Sequence, residues 1–130
     1  MGYEVKVIIG TLGNRIEEDG KSYFFKIAEF ELCKVDLECS SIAKSKGGKL
    51  LGRLGMIEAH PVYFYGTQED KITEDRYGES LLAIEPQVLL KELIEKAKSN
   101  PYRRFPPLIN LLSTMLETWG EKFYVVLYGH

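Results

Sequence analysis

Residues 23–35 read YFFKIAEFELCKV, and the way this stretch folds decides what the rest of the chain packs against. It is long, aromatic and partly β-branched, which is strand chemistry. Its apolar alternation slips at Ile27 and Ala28, where the apolar register changes. A β-bulge, one extra residue inserted into the strand, absorbs such a slip. Upstream, YEVKVIIG at 3–10 alternates Tyr3, Val5, Val7 and Ile9 against Glu4, Lys6 and Ile8, the period of a strand with one buried face. NRIEEDGKS at 14–22 joins the two strands. Its run of acids and its Asp-Gly pair are the chemistry of an exposed hairpin tip.

Downstream, DLECSSIAKSKGGKLLGRLG at 36–55 has small residues and glycines that break any sustained period, so it reads as a long loop with one short helical turn. PVYFYG at 61–66 reads as a strand and SLLAI at 80–84 as another, joined by the acidic arm TQEDKITEDRYGE at 67–79. In PQVLLKELIEKAKS at 86–99, Leu89, Leu90, Leu93, Ile94 and Ala97 recur at helical spacing behind a proline suited to a first turn. PPLINLLSTMLETWG at 106–120 puts Leu108, Leu111, Leu112, Met115 and Trp119 on one stripe and stops at a glycine. KFYVVLYGH at 122–130 is apolar or aromatic on both alternating faces, the mark of a strand inside a sheet. The expected fold is one α+β domain over residues 1–130. It has an antiparallel or mixed sheet of four to five strands, with two amphipathic helices packed on one face, in the order β-β-loop-β-(β)-α-α-β.

The chain has 130 residues, a net charge of −2, two cysteines and two histidines. That length suits one domain able to bury its own core. No apolar run approaches the roughly 18 residues that cross a bilayer, and the N-terminus lacks a secretory layout. The expectation is a soluble cytoplasmic protein, with no membrane role and with Cys33 and Cys39 as reduced thiols. Two cysteines with His60 and His130 do not have the ligand spacing of a zinc site, and neither metal nor cofactor is expected. The slightly acidic balance argues against a duplex-DNA binder.

Against that balance, AKSKGGKLLGRLG at 43–55 gathers Lys44, Lys46, Lys49 and Arg53 with no acid among them. It fails as a Walker A loop, because Gly48-Lys49 is followed by Leu50 and Ala43 stands where the first glycine belongs. A basic loop nonetheless attracts phosphates or acidic side chains without any motif. NPYRRFPP at 100–107 is the second basic candidate, with Arg103 and Arg104 between Tyr102 and Phe105, although it also serves as a rigid connection between two helices. Tyr63, Tyr65, Tyr124 and Tyr128 could share a ring-bearing sheet face, but ordinary packing accounts for them. His60 is the one internal general-base candidate and has no partner histidine, because His130 is terminal and expected to fray. In the acidic arm, Glu69, Asp70, Glu74, Asp75 and Glu79 lack an EF-hand layout and read as a solvated face.

A basic loop and an acidic arm in a balanced domain point to a small non-enzymatic binding protein. Its ligand-contacting residues would be Lys44, Lys46, Lys49, Arg53, Arg103 and Arg104. The expected partner is a protein, with a phosphate-bearing ligand or single-stranded nucleic acid as alternatives. Size and character also match accessory proteins of phages and mobile elements that act on host proteins. Two other classes stay open: a small enzyme using His60 as acid or base on a phosphorylated or nucleotide substrate, and a structural subunit of a homo-oligomer.

Overall fold

The computed structural model of the chain describes residues 5–33, 45–46, 49–52, 55–57, 60–76, 78, 80–99 and 105–130. Its elements are β1 (Val5–Ile16), β2 (Ser22–Cys33), β3 (Ser45–Lys46), β4 (Lys49–Gly52), β5 (Gly55–Ile57), β6 (His60–Tyr65), β7 (Lys71–Ile72), β8 (Leu82–Ile84), α1 (Pro86–Ser99), α2 (Phe105–Thr118) and β9 (Tyr124–Gly129). The β1–β2 hairpin turns where expected, at Glu17 to Lys21, with Gly20 supplying a φ of 81°. In its register Gly10 faces Lys26 and Ile9 faces Ala28, so Ile27 is the extra residue of a bulge. The slip in the alternation marks that bulge.

The expected open sheet does not form. Strands β2, β1, β9, β8 and β6 lie side by side in that order, and β2 then returns to pair with β6, closing a five-stranded barrel with β7 as an added strand. Alternating directions cannot run round an odd number of strands, so one junction has to be parallel. It is β2–β6, at Ser22 opposite Val62 and Tyr23 opposite Tyr63. The protein is therefore mostly β, a closed mixed barrel with two short helices, and not an α+β fold. The strands read correctly one by one, but a bulged, bent β2 lets the sheet curl onto itself.

Closure gives the wall an inner and an outer side. Ile8, Phe24, Val62, Phe64, Leu81, Ala83, Tyr124 and Val126 fill the interior. Val7, Ile9, Leu82, Ile84, Val125 and Leu127 point outward and are covered by Leu89 and Leu93 of α1 and Phe105, Leu108 and Leu112 of α2. Both faces of β1 are therefore buried around Ile8, where the sequence suggested one. Strand β9 sits between β1 and β8, inside the sheet as expected. The stripe of α2 is narrower than read: Leu108 and Leu112 are buried, whereas Leu111 and Trp119 are exposed.

The segment 36–55, expected as a loop, contains strands. β3, β4 and β5 form a separate three-stranded sheet in which Lys46 pairs with Lys49 and Leu51 with Met56. The glycines there accompany short hairpin pairings, which sustain no long apolar period. Cys39 lies outside the described residues, so the structure bears only on Cys33, which ends β2.

Candidate functional site

Strands β2 and β6 pair through their backbones at only two positions, Ser22 with Val62 and Tyr23 with Tyr63. Beyond Tyr23, β2 keeps β1 along one edge, and among the described residues no strand lies along the other. This splayed seam exposes both sides of β2, and each side carries its own chemistry.

On the outer side, Tyr23 and Phe25 of β2 meet Tyr63 and Tyr65 of β6. Alternate residues of a strand share a face, so each pair projects the same way. The Tyr23 ring centroid lies 4.4 Å from that of Phe25, 5.6 Å from Tyr63 and 5.9 Å from Tyr65, and Tyr63 lies 5.7 Å from Tyr65. Tyr63 is buried beneath the group, while Phe25 is 53% and Tyr65 50% exposed. The Tyr63 hydroxyl donates to Glu17 Oε1 at 2.9 Å. Burial first, and that carboxylate second, push its pKa up to about 12. Lys71 Nζ stands 4.5 Å above the Tyr63 ring and donates to Asp19 Oδ2 at 3.0 Å. That bond, helped by the Lys21 amide, holds the Asp19 carboxyl below its ordinary range. The hairpin tip, with Arg15 and Lys21 against Glu17, Glu18 and Asp19, and Lys71 of β7 thus rim the aromatic wall with a balanced set of charges. A cleft of about 470 Å³ runs along it, between Thr11–Arg15 and the rings of Tyr23 and Phe25.

On the inner side, a cleft of about 260 Å³ enters the end of the barrel, lined by Lys6, Lys26, Glu29, Arg76, Tyr128 and His130 over Ile8 and Phe64. Glu29 bridges Lys6 at 3.2 Å and Lys26 at 3.5 Å. Lys26 Nζ lies 4.6 Å above the Phe64 ring and Lys6 Nζ 5.3 Å above that of Tyr128. The apolar interior therefore ends in a charged mouth.

The residues singled out in the sequence fall elsewhere. His60 is exposed at the start of β6, edge-on to the Tyr124 ring at 5.5 Å, and lines neither cleft. Lys46 and Lys49 face each other across the β3–β4 pairing. Lys44, Arg53, Arg103 and Arg104 lie outside the described residues. His130 does not fray: it is half-buried, with Nε2 3.0 Å from Glu31 Oε1. Asp75 leaves the solvated acidic face altogether. It is buried and accepts from the Gly129 amide at 3.1 Å, while the Arg76 amide donates to the Gly129 carbonyl at 3.1 Å, so the arm stitches β9 in place. Glu69, Asp70 and Glu74 are exposed, and Glu79 lies outside the described residues. The four tyrosines do not share a face, since Tyr63 and Tyr65 are outside the barrel and Tyr124 and Tyr128 pack with the interior. Tyr23, Phe25, Lys26 and Glu29 were missed as site residues, although the slip at Ile27 pointed to where the strand turns its faces.

Compared with known proteins, the chain matches no family model, no curated protein and no solved structure. No helix among the described residues is long and apolar enough to cross a membrane.

Proposed function

We propose that this chain is a non-enzymatic binding protein that takes a protein partner on the aromatic wall of Tyr23, Phe25, Tyr63 and Tyr65. The observation that carries this reading is a contiguous group of contacting rings, half-exposed at Phe25 and Tyr65, inside a rim of mixed charge. Aromatic side chains are the favoured anchors of protein interfaces, and a polar rim is their usual surround. The rim pairs its acids with Arg15, Lys21 and Lys71 and so offers no net positive field to a phosphate backbone, which favours a protein over a nucleic acid. Lys44, Lys46, Lys49 and Arg53, with Arg103 and Arg104, supply an electrostatic contact to acidic groups of the same partner. The exposed position of His60, away from both clefts, weighs against the enzymatic alternative. This reading places the protein in the cytoplasm, where Cys33 and Cys39 stay reduced.

The test is capture of the partner from an extract of the source cell, followed by affinity measurements with the purified partner. Tyr23→Ala/Tyr65→Ala is expected to weaken binding at least about tenfold, since interface aromatics commonly carry 2 kcal/mol or more. Changing Lys44, Lys46, Lys49 and Arg53 to Glu should also weaken it and flatten its dependence on salt. A folded Tyr23→Ala/Tyr65→Ala variant that binds as tightly as the parent overturns the assignment of the wall.

A further inference from the structure

The edge of β2 along which no described strand lies is complementary to itself. Residues 25–30 read FKIAEF. In an antiparallel pairing of two such edges about a two-fold axis between Ile27 and Ala28, Phe25 of one copy lies opposite Phe30 of the other. Lys26 lies opposite Glu29, and Ile27 opposite Ala28. Each of these pairs occurs twice, so one register gives two aromatic pairs and two ion pairs at once.

The bulge makes the faces agree. A two-fold axis perpendicular to the sheet keeps outward side chains outward, so opposed residues must share a face. In a regular strand Phe25 and Phe30 point to opposite faces, as do Lys26 and Glu29. The extra residue Ile27 removes the conflict. Phe25 packs with Tyr23 on the outer wall, and Phe30 packs with the outer cluster beneath the helices. Lys26 and Glu29 both line the inner cleft. Residues 25–29 are exposed, Phe25 by 53% and Ile27 by 43%, and Phe30 is half-buried against the outer cluster. An unpaired row of backbone amides and carbonyls between exposed side chains is a template for another strand.

We infer that the protein forms a two-fold homodimer by antiparallel pairing of β2 edges, with Phe25–Phe30 and Lys26–Glu29 as its cross-strand pairs. The dimer goes beyond the binding reading: it sets two aromatic walls side by side on one face of the assembly, and its test leaves Tyr65 untouched.

Sedimentation of the full chain over a concentration series reads the dimer directly. Lys26→Glu and Glu29→Lys each replace two attractions with two repulsions, which should raise the dissociation constant on the order of tenfold or more. The double variant Lys26→Glu/Glu29→Lys restores both pairs and should dimerise again. An equimolar mixture of the two single variants should form heterodimers, because each then faces its complement. Hydrogen exchange of the parent, which needs no variant, should show amides 25–30 gaining protection as protein concentration rises. A parent that stays monomeric overturns the inference. So does a dimer indifferent to both single variants, a mixture that stays monomeric, or a β2 edge protected only by a different protein's strand.

Discussion

At the bulge β2 runs close against β1, and Gly10 is where that approach is tightest. A Cβ built on Gly10 falls against the Phe25 carbonyl oxygen and lies 2.7 and 2.9 Å from two carbons of the Phe24 ring. Phe24 is fully buried in the barrel interior, so its ring has nowhere to rotate, and a backbone oxygen moves only with its strand. Gly10→Ala therefore has to push β2 away from β1. Overpacking of this kind costs about 1 to 3 kcal/mol. The lower entropy of an unfolded chain carrying alanine returns about 0.4 to 1 kcal/mol. Because the obstruction is backbone, a net loss of about 2 kcal/mol is expected. Gly13, three residues on in the same strand, is the control: a Cβ there meets its nearest neighbours, Phe25 and Tyr23 atoms, at 3.5 Å, an ordinary contact. Gly13→Ala should therefore be neutral, or stabilising by about 0.4 to 1 kcal/mol. In urea denaturation with a slope of about 2 kcal/mol/M, the Gly10→Ala midpoint falls by about 1 M while the Gly13→Ala midpoint holds or rises. Equal midpoints for the two variants refute the close approach, and with it the account of why the strand bends there.

Two further outcomes test the core and the wall. Leu112, fully buried between α2 and the outer face of the barrel, should lose about 2 to 5 kcal/mol on Leu112→Ala, and chemical denaturation showing under about 0.5 kcal/mol means that α2 does not pack there. Tyr63 favours its neutral phenol in the folded state, so its contribution to stability is complete below the ordinary tyrosine pKa of about 10 and is lost as pH rises through about 12. Ultraviolet titration of the parent against Tyr63→Phe should show one late-ionising tyrosine, and Glu17→Gln should lower its midpoint only in part, because burial remains. A difference curve centred on the ordinary value removes the burial argument.

Much of the local structure was legible. Proline and leucine spacing placed both helices, Gly120 marked the end of the second, two-sided apolarity placed β9 in the middle of the sheet, and the slip at Ile27 located the bulge. Closure was not legible, because it depends on the pairing of Ser22 and Tyr23 with Val62 and Tyr63, strands far apart in sequence that no local period connects. The site was hidden for the same reason. Parity within β6 shows that Tyr63 and Tyr65 share a face, and parity within β9 does the same for Tyr124 and Tyr128. Only the fold decides that the first pair faces outward and the second inward. The burial of Asp75 was equally invisible, since an acid within an acidic run looks solvated until a strand end is brought to it.

The bulge at Ile27 joins the fold to both proposals. The inserted residue bends β2 a few positions beyond its pairing with β6, and past Tyr23 no described strand pairs with that edge. It also switches the alternation, which keeps Phe25 and Phe30 on the outer face and turns Lys26 and Glu29 together into the charged mouth. A straight β2 would carry Phe30 into the cleft and Glu29 under the helices, burying a carboxylate among Val7, Ile9 and Leu127 without a partner. The sequence could not tolerate that arrangement. The charged mouth and the self-complementary edge are thus consequences of one residue inserted where the alternation slips.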